Sequence, residues 1–402
     1  MRARVVEKKV ALRALIFALV VAFVSQEALT QELASIQTGS IIPKPATPVK
    51  ELKITYTNNE LPSFPPDSGV KHKRIKRYFN GRPALVNIIV VNPEAQKFII
   101  KPSYSSYKLN APRRVKELVN NANAVAGINA SYFKPDTGVP LGASVVNGEI
   151  LTGPIYQRVV FGVTEDNKFK MDKLDITGEI RIGLFNPSLQ LFNINQPVFS
   201  SVGFTIFTDR WGSRTPKTSQ YYCHIVVLDG KIQYIKQSSV AIPKGGYVVV
   251  GPRSKMPKGI QQFDSINYNA KLSPDDWNNV KYAVGGGPYL VKEGQVFIDK
   301  QHFGRGFFTM KAPRTAVGYT KGGSLIMVTI DGRQEGTDGA TLREVANLMK
   351  ELGAYNAMNF DGGSSTQMVF KGRLVNRPTT KGGNRVTNAL VVVPDIRTSS
   401  ND

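Results

Sequence analysis

Between residues 140 and 310 the chain is a succession of short apolar runs cut apart by turn dipeptides. Val159-Val160-Phe161-Gly162-Val163, the run 220–228, Gly246-Tyr247-Val248-Val249-Val250 and Tyr289-Leu290-Val291 are such runs. Asn147-Gly148, Asp229-Gly230 and Glu293-Gly294 are the turn signals between them. β-Branched and aromatic side chains fit a pleated surface, and Xaa-Gly pairs supply the positive φ of tight hairpins. The pattern dictates a strand-rich middle. Thirty-six Gly and 24 Pro, with no long low-complexity tract, agree with many turns. No repeat period points to a solenoid.

The flanks add helices. Ala84-Leu85-Val86-Asn87-Ile88-Ile89-Val90-Val91 reads as a strand and Phe98-Ile99-Ile100-Lys101-Pro102 as its hairpin partner. Pro112 opens a short helix with Val115, Leu118 and Val119 on one face, and Ala124-Val125-Ala126-Gly127-Ile128 follows as a buried strand. Further on, Ser324-Leu325-Ile326-Met327-Val328-Thr329-Ile330 is a strand. The segment 341–352 has Leu342, Val345, Ala346, Met349 and Leu352 at helical spacing and stops at Gly353. Asn356-Ala357-Met358-Asn359-Phe360 is the next strand, and Ala389-Leu390-Val391-Val392-Val393 closes the fold. Strand, helix, strand implies a parallel crossover. The expectation is an α/β to α+β fold, mixed β-sheets with packed helices, in a single large domain over 81–395. A flexible tail, 396–402, follows.

Ahead of that domain, Arg2, Arg4, Lys8, Lys9 and Arg13 precede the apolar run Leu15-Ile16-Phe17-Ala18-Leu19-Val20-Val21-Ala22-Phe23-Val24. A basic start and about ten apolar residues form a signal-peptide pattern, too short for a comfortable membrane span. Residues 25–30 hold no clean small-x-small cleavage site, so 1–30 reads as a signal peptide or a membrane anchor. Residues 31–80 read as a Pro-rich and basic linker. Export follows as the expectation: a periplasmic, extracellular or membrane-anchored protein, with membrane association through the N-terminus.

The formal charge is +22, which attracts polyanions, anionic glycans among them. The positive charge is spread along the chain. Its densest run, Lys71-His72-Lys73-Arg74-Ile75-Lys76-Arg77, carries no nucleic-acid-binding signature, so a nucleic-acid partner is not expected. The single Cys223 excludes an intramolecular disulfide and sits in an apolar run, as a structural thiol does. His72, His224 and His302 are scattered, so no metal site is expected. No cofactor is implied. A structural calcium ion held by carboxylates and carbonyls stays compatible, although no EF-hand-like loop marks one.

Chemistry concentrates at strand ends. Asn359-Phe360-Asp361-Gly362-Gly363-Ser364-Ser365-Thr366 places a carboxylate at the end of an apolar strand, then paired glycines, then hydroxyls. The glycines let the backbone turn sharply and approach a ligand, and their N–H groups can form an anion nest. Spacing alone favours the simpler reading, a tight turn with Asp361 capping its own backbone. Thr329-Ile330-Asp331-Gly332-Arg333 repeats the carboxylate at a strand end with an arginine two residues on, or is a plain turn with an exposed ion pair. Arg314-Thr315-Ala316-Val317-Gly318 brings a cation into an apolar strand: a phosphate clamp, or an arginine at a sheet edge. Glu344 stands three residues after Thr341, which is capping-box spacing as well as a candidate acid. Gly127-Ile128-Asn129-Ala130-Ser131-Tyr132-Phe133 ends a strand on an amide. Val284-Gly285-Gly286-Gly287-Pro288 is a glycine loop without the lysine of a P-loop.

Taken in order, and with Arg385-Val386-Thr387-Asn388-Ala389-Leu390 added, these segments resemble the signature blocks of the phosphodiester glycosidase family. The resemblance covers about residues 80–395. Two departures stand out: Ser364 replaces the family's usual third glycine, and Ala130-Ser131 replaces a frequent Gly-Gly. The resemblance implies hydrolysis of the bond between an anomeric carbon and a phosphodiester oxygen. The substrate would resemble an N-acetylglucosamine-1-phosphodiester, in the cell envelope or exopolysaccharide. It implies Asp361 and Asp331 at the reacting centre with Glu344 in reserve, and Arg314, Arg333 and Arg385 on phosphate. Gly362, Gly363 and Ser365 would be donors, and Asn129 and Asn388 would hold the sugar. The rival expectations are a non-catalytic envelope protein that binds anionic glycan, and a phosphodiesterase cutting on the far side of phosphorus, whose usual His/Asp metal-ligand cluster the sequence lacks.

Overall fold

The structure, a computed structural model, describes residues 69–92, 98–184 and 186–395. The expected signal peptide or anchor at 1–30, most of the 31–80 linker and the 396–402 tail lie outside the described residues. Folded chain begins earlier than the sequence implied. The basic run expected in the linker lies in the strand Val70–Phe79, paired along its whole length with Arg82–Val91. Its alternation turns Ile75 and Phe79 inward and leaves most of its charged residues at least partly open.

Four sheets organise the described residues. The first has seven strands, in the order Val70–Phe79, Arg82–Val91, Leu325–Ile330, Arg314–Thr320, Ala354–Asn359, Tyr289–Lys292 and Gln295–Val296. A five-stranded sheet, in the order Arg373–Leu374, Met368–Phe370, Ala126–Asn129, Ala389–Pro394 and Phe98–Ser103, faces it. Between them pack Ile89, Met327, Val317 and Met358 from the first sheet and Ile128, Leu390 and Met368 from the second. A second five-stranded sheet adds Val159, Phe161 and Val284 to the same core. The remaining seven-stranded sheet, around Tyr222–Leu228 and Tyr247–Pro252, forms a core of its own.

The expectation of packed helices is corrected. The described residues form mostly β-sheet, and the α-helices are only Val115–Asn121, Arg305–Thr309 and Leu342–Glu351 among them. The sheets bury each other, so one ten-residue helix suffices to cover the other face of the first sheet. That helix, Leu342–Glu351, packs Leu342, Val345, Ala346 and Met349 against Ala316, Val328 and Ile330. Full burial of Leu342, Val345 and Met349 stabilises by about 1.5–3 kcal/mol each. The strands on either side of it, Leu325–Ile330 and Ala354–Asn359, are both antiparallel to Arg314–Thr320 and therefore run parallel to each other. The inferred crossover exists, but it steps over one intervening strand.

The turn signals act as expected. Asn147-Gly148, Asp229-Gly230 and Glu293-Gly294 all have positive φ at both residues, as a two-residue hairpin needs. Cys223 is buried and its thiol is pushed up to about 11 by burial. His224 bonds through both ring nitrogens to Thr215 and Thr218, and burial lowers it to about 4.

Candidate active site

Asp361 stands where the chain leaves one sheet for another. After the strand Ala354–Asn359, the Phe360 N–H still bonds Thr315 O in the first sheet (2.8 Å). The next amide, of Asp361, bonds Ala130 O at the end of the facing sheet (2.9 Å). A short 3-10 turn, Gly363–Ser365, then delivers the chain into Met368–Phe370 of that sheet. The glycines are dictated by this crossing. A Cβ on Gly362 would lie 2.8 Å from Pro313 O, and Gly363 has φ +58° with the Arg333 guanidinium 3.4 Å from where its Cβ would be.

Asn129 fixes the carboxylate's backbone. It is fully buried. Its Nδ2 donates to Asp361 O (2.6 Å), and its Oδ1 accepts from Thr315 Oγ1 (2.8 Å) and Gln367 N (3.0 Å). The Asp361 side chain accepts from Ser365 and from the Gly362 amide. Burial raises it to about 6, against the pull of those bonds and of Arg158. The residue nevertheless keeps part of its surface open.

Three guanidinium groups lie close by. Arg314 is buried and tied down: Nε donates to Ala340 O (2.9 Å), and Nη2 to Phe307 O (3.1 Å) and Met310 O (2.7 Å). Burial, with help from Arg333, lowers its pKa to about 10. Arg333 is exposed and reaches beside Gly363. Arg158 stands over the Phe303 ring at 4.3 Å, the Tyr132 ring at 5.1 Å and the Tyr156 ring at 5.4 Å. Phe303 and Phe307 stack at 4.5 Å, so an aromatic pair separates Arg158 from Arg314. Tyr132 donates to Gly287 O (2.9 Å) and accepts from Asn359 Nδ2 (2.8 Å). Burial first, and then the Asp361 charge, push its pKa far upward, so it stays protonated.

The structure redistributes the expected roles. Asp361, Arg314, Arg333, Gly362, Gly363, Ser365 and Asn129 come together. The glycine amides are not a free nest: Gly363 N–H donates to Pro313 O (2.8 Å), and that of Gly362 to Asp361 itself. Asn129 and Asn388 spend their amides on protein. Asn388 bonds Ser131 N (2.9 Å), Ser131 Oγ (3.1 Å) and Tyr104 Oη (2.8 Å), so neither is left to hold a sugar. Asp331 sits in a different network. Asn376 Nδ2 (3.0 Å) and Arg377 N (2.9 Å) bond its carboxylate, Arg74 lies 3.9 Å away, and burial raises it to about 6. Glu344 completes the capping box with Thr341, and its other oxygen meets Asn80 (3.1 Å) and Lys311 (3.6 Å). Its role is to cap the helix. Arg385 is exposed on the loop before Ala389–Pro394.

Two residues of the site, Arg158 and Tyr132, were not among the expected ones. Arg158 had the signal that drew attention to Arg314, a cation entering an apolar strand. Among the described residues no group of three or more His, Cys, Asp or Glu gathers in a way that could hold a metal. A cleft of about 740 Å³, lined in part by Phe98, Lys168, Phe169 and Tyr319, opens at the far end of the strand that Arg314 begins.

Residues 221–393, which carry the Asp361 turn, match the family model described as phosphodiester glycosidase. This segment is similar to the phosphodiester glycosidase family. The mouse N-acetylglucosamine-1-phosphodiester alpha-N-acetylglucosaminidase is 29% identical over 170 residues, 38% of this chain and 30% of the mouse protein. The SPbeta prophage-derived protein YomE of Bacillus subtilis (strain 168) is 33% identical over 92 residues, 23% of this chain and 14% of that protein. The matched stretch thus spans less than a third of either relative. The crystal structure of a hypothetical protein from Synechocystis superposes with TM-score 0.73 and 24% identity, covering 81% of this chain and 62% of that one. That likeness concerns the fold.

Proposed function

We propose that residues 70–395 form a hydrolase domain that releases a sugar from a glycosyl-1-phosphodiester, with Asp361 as its carboxylate. The observation that carries this reading is a partly open carboxylate, raised to about 6, among arginines that outnumber it. Glycosyl transfer passes through an oxocarbenium-like state that a carboxylate stabilises or traps. The departing phosphate brings its own negative charge, so fixed cations can replace a proton donor at the leaving oxygen. That matches a site in which the strongest electrostatic influences on Asp361, Arg158 and Arg314 include no second carboxylate. In the overall step water adds across the C1–O bond, its hydroxyl going to C1 and its proton to the phosphomonoester that leaves.

The family match supports phosphodiester-linked sugars as the substrate class. Similarity to the mouse N-acetylglucosamine-1-phosphodiester alpha-N-acetylglucosaminidase supports an N-acetylglucosamine-like sugar. The basic-then-apolar pattern within residues 1–30 supports export to the cell envelope. The test is a panel of glycosyl-1-phosphodiesters with free sugar as the readout. Turnover by the wild type and its loss in Asp361→Asn support the reading. Binding without release, indifferent to Asp361→Asn, would make the protein a glycan binder instead.

A further inference from the structure

Each arginine of the site spends its donors differently. Arg314 gives Nε and Nη2 to three backbone carbonyls, so it fastens 307–310 and 340 in place. Arg333 is exposed, and a solvated side chain is poorly preorganised. Arg158 is held by its aromatic surroundings and is only partly exposed, and its Nε and Nη1 are shielded from water with no hydrogen-bond partner. A shielded guanidinium without an acceptor is costly, because burial disfavours the charge and each unmet donor adds to that cost. Burial already lowers its pKa, and the Asp361 charge is among the influences that oppose the drop. The carboxylate therefore senses Arg158 without being hydrogen-bonded to it. An acceptor from outside the chain fits these donors, and an anionic one gains most from them.

We propose that Arg158 grips the phosphoryl group of the substrate and stabilises the charge that gathers on it as the C1–O bond breaks. This rests on the glycosyl-phosphodiester reading above. A phosphate oxygen approaches the open part of the Arg158 side chain, and a small shift of the surrounding rings brings the unpaired Nε and Nη1 within its reach. The rings of Phe303, Tyr132 and Tyr156 hold the guanidinium plane and lower the local dielectric, which strengthens the contact. Asp361, on the other side of the breaking bond, faces C1. Arg158 is thus a catalytic residue and Arg314 a positioning one.

The experiment uses the full chain as wild type, Arg158→Gln, Arg158→Lys and Asp361→Asn. One sugar is presented on two leaving groups, a phosphodiester and p-nitrophenolate, and inorganic phosphate binding is measured by calorimetry. The proposal expects Arg158→Gln to lose about 10²–10³ in kcat/KM on the phosphodiester, the usual cost of removing one donor to developing charge. It expects a loss below about tenfold on the p-nitrophenyl glycoside, whose leaving group offers no phosphate to grip. Arg158→Lys keeps the charge and recovers part of the phosphodiester rate. Phosphate binds the wild type and Asp361→Asn but not Arg158→Gln. Equal loss on both leaving groups overturns the proposal, as does phosphate binding that survives Arg158→Gln or is absent from the wild type. If Arg158→Gln does not fold, Arg158→Lys decides the matter by the same two leaving groups. Failure of the underlying reading looks different: Asp361→Asn would turn over at the wild-type rate while phosphate binding still depended on Arg158.

Discussion

Replacing Asp361 by Asn should make the protein more stable and nearly inactive, with the stability gain building up between about pH 4 and 6 and persisting above. The carboxylate is raised from its ordinary 3.8 to about 6, chiefly by burial. Folding therefore favours the protonated form. Stability falls as pH rises from about 4 to 6, where the unfolded chain ionises and the folded site resists, and is level above that. The gap corresponds to at most about 3 kcal/mol, since one pKa unit is worth 1.36 kcal/mol. Part of the residue is open to solvent, which reduces the gain to roughly 1–2 kcal/mol. Asparagine is isosteric, carries no charge and can still accept from Ser365. Urea unfolding at pH 7.5 should show the variant more stable by that amount, and at pH 4 nearly equal to the wild type. Turnover should fall by about 10²–10⁴, the range for a group that acts on the transition state. A variant destabilised equally at both pH values would refute the claim that ionised Asp361 is held against its solvation preference.

Other outcomes follow from the same geometry. The wild-type kcat/KM on a glycosyl-phosphodiester should rise with pH on a single limb near 6, because ionised Asp361 is the working form and the diester does not titrate there. Thr341→Ala removes the Glu344 capping box and should cost about 1 kcal/mol in unfolding experiments with kcat unchanged. Gly363→Ala places a Cβ at positive φ beside Arg333, and should cost about 1 kcal/mol and raise KM. Asn129→Ala strands Asp361 O, Gln367 N and Thr315 Oγ1 in a buried place, and should lower the unfolding free energy by about 2–4 kcal/mol together with kcat.

Local chemistry was readable in the sequence; long-range chemistry was not. The Xaa-Gly hairpins, the capped helix after Thr341 and the sharp turn after Asp361 depend on residues a few positions apart. Sheet order depends on which distant strands pair, and periodicity is silent on that. So a strand-helix-strand pattern suggested layered helices where sheets in fact cover each other. The site followed the same division. Asp361 announced itself at a strand end. Asn129 and Asn388 looked like free amides because their partners, Thr315 and Gln367 for one and Ser131 for the other, are 186 to 257 residues away. Asp331 looked like a second reacting carboxylate for the same reason, since Asn376 and Arg377 claim it only in three dimensions.

The most direct test of the account is hydrolysis of a glycosyl-1-phosphodiester in ¹⁸O-labelled water, followed by mass spectrometry of both products. Attack at the anomeric carbon beside Asp361 predicts label in the free sugar and none in the phosphomonoester. Label in a phosphate product, with sugar-1-phosphate released, would mean cleavage at phosphorus and would contradict the assignment of Asp361 to the sugar.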